Sequence, residues 1–414
     1  MKGCIMMKKT FLALGAAATF LLPNVAGAEG FAINEWSAEG VAMGGARMFA
    51  EGDAANVAYN PASITKIEGE ALKISATYLS PHGKHEIDGK APGTKEYGQN
   101  VVHAGWAPGT YYVKQISDRD WVGLGLFTRY GTVSERERGE AMVSSNSFFA
   151  KMDGLSLTPT YARKFDKKWS AAVGADINYV GLELQKNAGG VIPTQTKGQT
   201  TALGWNAAVN YAFDEKNEIG LVYRSEITHS MEADFKMYHP QAGKITADAY
   251  GVVTLPESYA IGYNHKFDDK TRVELNTTRT NWSSYDALNI SFSNVSGNYP
   301  LEPANSPKNY EDGWRYAIGV EHKLSDKYSL MAGFAYDEGI IPYDGGDFMM
   351  PTGNRRTYSI GAQYHDKKQT LAVALGYIDV GDLLFKGQDS DLYREARGYD
   401  NSVKIASISY QLNF

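Results

Sequence analysis

Apolar side chains alternate with small or polar ones along most of this chain. At its end Ala406, Ile408, Tyr410, Leu412 and Phe414 take the even positions, with Ser407, Ser409, Gln411 and Asn413 between them. A strand of period two has one oily face and one wet face. Over Trp169–Tyr179 the odd positions are apolar; over Trp314–Glu321 the even ones are. Asp176, Asn178, Arg315 and Glu321 then fall on the wet face, where charge avoids lipid. A last strand stopping on an aromatic residue suits the closing strand of an outer-membrane barrel.

Short polar turns separate the alternating runs: 117–120, 166–168, 214–217, 268–270, 325–327 and 366–368. Phe165, Trp169, Phe213, Phe267 and Tyr328 flank them, as an interfacial aromatic girdle would. Longer segments at about 82–100, 136–152, 186–200, 236–252, 285–309, 340–353 and 381–397 read as outer loops. Six turns join twelve strands; one strand near 70–80 and one near 398–414 bring the total to 14. The expected fold is all-β: a 14-stranded antiparallel transmembrane β-barrel over residues 70–414. An even count leaves both strand termini on the periplasmic side.

Residues 1–28 read as a removable export signal. Lys2, Lys8 and Lys9 precede the apolar run Phe11–Leu22, and Ala26-Gly27-Ala28 is a small-residue cleavage site before Glu29. The single cysteine, Cys4, is in that leader, which excludes disulfides and thiolate chemistry from the mature chain. No later apolar run reaches the roughly 18 residues of a membrane helix. Mean hydropathy is low (-0.37), as expected when only alternate residues meet lipid. The 27 Tyr suit membrane interfaces, and the 43 Gly relieve crowding in a curved sheet. Net charge is -6, and -9 without the three leader lysines, which argues against a nucleic-acid partner.

Residues 29–69 lack strand alternation and precede the first strand. A segment of this size in front of a large barrel is expected to fold into the lumen as a small hatch. Its residues Gly30-Phe31-Ala32-Ile33-Asn34-Glu35-Trp36, then Gly44, Ala46 and Asn60-Pro61-Ala62, resemble the hatch of the long-chain fatty-acid transporter family of outer-membrane proteins. That family also takes in transporters of toluene and related hydrocarbons. Gly204-Trp205-Asn206, Tyr223-Arg224-Ser225-Glu226, Leu255-Pro256-Glu257, Trp282-Ser283 and Trp314-Arg315 extend the resemblance along the chain in the family's order.

The resemblance implies a plugged 14-stranded barrel without enzymatic activity or cofactor. It implies passive uptake of a hydrophobic ligand, most of all a long-chain fatty acid, with an uncharged aromatic hydrocarbon as the alternative. The ligand enters a pocket beside the hatch and leaves sideways into the bilayer through a gap at a kinked third strand. Gly131 would be the kink glycine, and Asn60-Pro61-Ala62 would sit against the opening, with Gly30, Asn34 and Glu35 in the hatch. Phe31, Lys186, Lys308 and Arg315 are the candidate ligand-binding residues. Outer-membrane lipid and lipopolysaccharide are the surroundings, and a monomer is expected because a closed barrel has no free strand edge.

Two departures stand out. Acidic Glu311 occupies the place of a basic residue in the fatty-acid transporters, with Lys308 close by, and Pro351-Thr352-Gly353-Asn354-Arg355 lacks the two acids of the family pattern. A porin needs no hatch. An outer-membrane hydrolase would need a nucleophile and a base, for which His229 beside Ser225 and Ser230 is the nearest set. His82-Gly83-Lys84-His85-Glu86 offers metal ligands but reads as solvated outer-loop histidines, and Asp344-Gly345-Gly346-Asp347 lacks the full ligand spacing of a calcium loop.

Overall fold

The computed structural model describes residues 30–102, 104–135, 141–146, 148–348 and 353–414. The predicted leader and Glu29 lie outside the described residues.

Fourteen antiparallel strands close a barrel. They are β1 (Glu70–Gly89), β2 (Lys95–Val102 and Gly105–Gln115), β3 (Asp120–Glu135), β4 (Phe149–Lys164), β5 (Trp169–Ala188), β6 (Ile192–Ala212) and β7 (Asn217–Arg224 and Ile227–His239). There follow β8 (Gly243–Leu255 and Ser258–Lys266), β9 (Thr271–Thr280 and Ala287–Ser293), β10 (Ala304–Pro307 and Gly313–Lys323), β11 (Tyr328–Asp337), β12 (Arg355–His365), β13 (Gln369–Val380 and Leu383–Lys386) and β14 (Tyr393–Asn413). β14 pairs with β1 from Ala71↔Asn413 to Gly89↔Tyr393 and closes the ring.

The alternation sorts side chains as expected. Ile408, Tyr410 and Phe414 face out, while Ser409 and Gln411 are buried inside. Val173 faces out, and Asp176, Asn178, Arg315 and Glu321 face in. Four of the six predicted turns share one device. Asp166, Asp214, Asp268 and Asp366 each accept backbone N–H bonds from the residues two and three further on. An aspartate that caps its own turn in this way reverses the chain at little cost. Phe165, Trp169, Phe213, Phe267 and Tyr328 are exposed beside these turns, as a girdle requires.

Three segments read as outer loops are mostly strand: 82–100, 186–200 and 236–252. β1, β5, β6 and β14 run for 20, 20, 21 and 21 residues. A bilayer needs only about 9–11. The surplus stands in water, where both faces are polar and the alternation fades. The β5–β6 hairpin turns at Gly189 and Gly190, with φ of +59° and +78°, which glycine tolerates without strain.

Residues 30–69 lie inside the ring as two short helices, α1 (Ala38–Ala42) and α2 (Asn56–Tyr59), and a 3₁₀ helix (Pro61–Lys66). Ser37 caps α1, its hydroxyl accepting from Gly40 N at 3.1 Å. Glycine permits the close approach: a Cβ on Gly333 would sit 2.1 Å from the Met43 carbonyl carbon. A chain of buried charges joins this segment to the wall. Lys73 reaches Glu39 at 2.8 Å and Asp53 at 2.7 Å. Arg47 bridges Asp53 at 3.4 Å and Glu321 at 3.0 Å. Arg272 bonds Glu321 and Glu274, and Glu274 accepts from Met48 N.

Arg47→Ala is expected to weaken this seat by about 3–5 kcal/mol, because it strands buried carboxylates. Amide exchange over residues 38–66 should accelerate while the strands stay protected. Equal protection of that segment in both proteins would count against the seat.

Candidate functional site

The barrel wall is incomplete between β2 and β3. Gly109–Gln115 of β2 pair with Trp121–Phe127 of β3, and Val101 and Val102 pair with Glu135 and Ser134. Among the described residues, Thr128–Val133 have no ladder partner on β2. Pro108 faces this stretch without an N–H to offer. On the other side, the ladder to β4 shifts register between Thr128 and Tyr130, so Arg129 is the extra residue of a bulge. Gly131 follows at once.

Buried backbone groups must find partners. Here the N-terminal segment supplies them. Ile33 N donates to Arg129 O at 2.9 Å, and Gly131 N donates to Phe31 O at 2.8 Å. Trp36 Nε1 donates to Thr128 O at 2.9 Å. Ala32 and Tyr130 form the antiparallel bridge between these bonds. Residues 31–36 therefore act as a short borrowed strand across the gap. Arg129 is held by Asp176 of β5 at 2.6 Å, which pins the bulge from behind.

Above the borrowed strand lies a packed aromatic cluster. The Phe31 ring meets Trp282 at 4.8 Å, Tyr285 at 5.3 Å and Tyr130 at 6.2 Å, all edge to face. This arrangement sets ring edges against ring faces. Gly30 lies so near Trp282 that a Cβ would come within 2.8 Å of it, and its φ is +61°. The cluster continues outward through Tyr310, Ile340, Phe348, Phe385 and Tyr393. Such close apolar packing excludes water.

Lys308 is buried beside this cluster and ion-paired with Asp347. Burial disfavours its charge, but Asp347 outweighs that and holds its pKa above the ordinary lysine value. Burial also pushes the Tyr285 and Tyr310 phenols up, so both stay neutral. Burial raises the Asp391 carboxyl too, against the opposing field of half-buried Lys186. Glu311 is exposed outside this cluster.

The remaining expected residues divide. Asn34 and Glu35 sit on the borrowed strand, where the Glu35 carboxylate accepts from Asn34 N at 3.0 Å and its carbonyl accepts from Thr77. Asn60 caps the 3₁₀ helix, accepting from Ala62 N at 3.1 Å, and donates to Asn210 of β6 at 2.7 Å. Ala62 O accepts from Ser170 of β5. Asn60-Pro61-Ala62 is thus seated on β5 and β6, while Phe31–Trp36 face the gap directly. The link between the two is Tyr59, whose hydroxyl bonds Trp36 N at 3.1 Å and Asn34 O at 3.2 Å. Arg315 pairs with Asp337 and donates to Gly44 O, so it ties the N-terminal segment to β10. His229 donates to or accepts from Asn178 inside the barrel, whereas Ser230 faces out, so these two do not form a nucleophile and base.

The sequence model of the outer membrane protein transport protein family (OMPP1/FadL/TodX) matches residues 19–414. The chain belongs to this family. It is 24% identical over 436 residues to the long-chain fatty acid transport protein of Salmonella typhi, covering 96% of this chain and 97% of that one. It is 26% identical over 427 residues to outer membrane protein P1 of Haemophilus influenzae, covering 90% of each. The fold is similar to that of a Pseudomonas aeruginosa FadL homologue, with TM-score 0.83, 19% identity and coverage of 93% and 100%. The Pseudomonas putida toluene transporter TodX superimposes with TM-score 0.68 at 17% identity, covering 93% and 99%. Membership places the chain in the outer membrane as a transport protein for hydrophobic compounds.

Two pairings were hidden in the sequence. Arg129 and Asp176 are 47 positions apart, and only the register across β3, β4 and β5 brings them together. The indole of Trp36 as donor to the gap was equally silent, although its place in the motif marked the residue.

Ile33→Pro removes the donor to Arg129 O. The loss of one such bond, about 1–1.5 kcal/mol, should release the borrowed strand roughly ten times more often. Planar-bilayer recordings should then show brief openings about tenfold more frequent than in the unaltered protein. An unchanged record would mean that these bonds do not hold the gap shut.

Proposed function

We propose that this protein carries hydrophobic small molecules, long-chain fatty acids above all, from the cell exterior into the plane of the outer membrane. The observation that carries the reading is the gap between β2 and β3, bridged among the described residues by residues 31–36, directly below an aromatic cluster. The cargo settles against Phe31, displaces the borrowed strand, and leaves sideways into lipid. Residues 29–69 are the hatch, and Gly131 marks the bend of the wall. A lateral exit keeps each methylene out of water, a difference of about 0.8 kcal/mol per CH₂. The long-chain fatty acid transport protein of Salmonella typhi lends the cargo by relationship.

One observation favours the alternative, an uncharged aromatic hydrocarbon such as the cargo named for TodX: Lys308 already has a carboxylate partner in Asp347. A water-filled porin fits poorly, since packed side chains fill the lumen around the hatch. The working unit is a monomer in lipid and lipopolysaccharide, because β14 closes on β1 and leaves no edge.

Ala32 and Tyr130 are opposite one another at a non-hydrogen-bonded antiparallel position, where Cα atoms are about 4.5 Å apart. That separation suits a disulfide. In the double variant Ala32→Cys, Tyr130→Cys, oxidation should stop uptake of labelled palmitate and labelled toluene into cells lacking other such transporters, and reductant should restore it. Uptake that continues at full rate in the oxidised form would refute the lateral route. Uptake of toluene alone in the reduced form would assign the uncharged cargo.

A further inference from the structure

Three arginines line a cavity of about 100 Å³ behind the borrowed strand, between Trp36, Tyr59 and the β7–β10 wall. No aspartate or glutamate lines it. Two of the three are already committed: Arg129 to Asp176, and Arg315 to Asp337. Arg224 is different. It is 5% exposed, and one arm, Nη2, donates to the hatch carbonyl of Ala58. Its other arm, Nη1, is buried and has no partner among the described residues. The guanidinium carbon stands 5.8 Å from the Trp36 ring and 5.9 Å from the Phe127 ring. Aromatic faces attract the cation but leave its N–H groups unbonded.

A buried guanidinium with an open arm is costly unless an anion meets it. The planar N–H groups of arginine match a carboxylate, and a charged hydrogen bond there is stronger than a neutral one. Part of the lining is apolar, from Ile33, Val222, Ala260 and Ala317, and part is neutral and polar, from Asn34, Ser258, Asn276, Thr278 and Thr280. At 100 Å³ the space is below the roughly 300 Å³ at which ordinary small-molecule pockets begin. It holds a head group and its first few carbons, not a whole long chain. Lys308, at the outer end of the aromatic cluster, carries its own carboxylate partner, whereas Arg224 lies deeper and has an open arm.

We propose that Arg224 receives the carboxylate head of the cargo part-way along its path, in the cavity behind Trp36. The inference rests on the transport reading above and sharpens it: the cargo is an anionic amphiphile. The Ala58 carbonyl on the same guanidinium couples arrival of the head to the seat of the hatch. The ligand class is a monocarboxylate with an alkyl tail.

The test uses the full-length barrel in detergent and in proteoliposomes, with [1-¹³C]octanoate and [1-¹³C]octanol as probes. NMR titration of the labelled C1 reads binding, and uptake reads transport. Arg224→Met should weaken octanoate binding at least tenfold and leave octanol binding within about twofold. Arg224→Lys should recover part of the octanoate affinity. Ala260→Asp, which offers Arg224 an internal carboxylate, should abolish octanoate binding in a barrel that still shifts on heating; this covers the case in which the methionine variant does not fold. Equal loss of octanoate and octanol in folded Arg224→Met, or octanoate binding untouched by both Arg224→Met and Ala260→Asp, would overturn the proposal. Octanol uptake by the unaltered protein with no octanoate binding would also overturn it and leave hydrophobic transport standing. Octanoate binding that depends on Arg224, without uptake of either probe, would support the site and sink the transport route.

Discussion

Among the described residues, Thr128–Val133 of β3 leave their neighbour on β2, and the backbone groups they expose must be satisfied inside a barrel that no water ladder can repair. In lipid an orphaned carbonyl or amide is expensive, which is why spanning strands form closed rings. This chain tolerates a break in the ring because Phe31, Ile33 and Trp36 supply the missing partners from within. Everything else serves that contact. The charge chain through Lys73, Asp53, Arg47 and Glu321 seats the segment, and Tyr59 sets the angle at which it meets the wall.

The magnitudes make such a closure reversible. Three hydrogen bonds contribute about 1 kcal/mol each, or about 3 kcal/mol together. On the proposed route, moving four methylenes of a ligand from water into the aromatic cluster would return about the same, at about 0.8 kcal/mol each. An alkyl chain of ordinary length would then unseat the strand without any other energy source. The buried ion pairs below are costlier to break, so on that route the deeper part of the segment stays in place while its first residues move.

Much of the barrel was legible because a half-buried strand in lipid writes its period directly into the sequence. The even positions of 406–414 and the odd positions of 169–179 sorted as read. The Asp-led turns were visible for the same local reason. The surplus length of β1, β5 and β6 was not, since a strand wet on both faces loses the alternation that announces it. At the site, the motif around Phe31 and Asn60 marked the segment that bonds to β3, but not its division of labour. Asn60-Pro61-Ala62 seats on β5 and β6, and the residues facing the gap are 31–36. Arg224 stood in a recognised motif with no role attached. Its significance is an absence, an arm without a partner, and only tertiary packing decides which groups remain unpaired.

On the proposed route, ligand binding loosens the bonds between residues 31–36 and β3. The most direct measurement is amide exchange at Ile33 and Gly131 in lipid-embedded protein, with and without saturating oleate. Both amides should be protected without ligand and should exchange about tenfold faster or more with it, while Val113 and Leu126 in the intact part of the wall keep their rates. Unchanged protection at Ile33 and Gly131 under conditions where oleate is taken up would contradict the account.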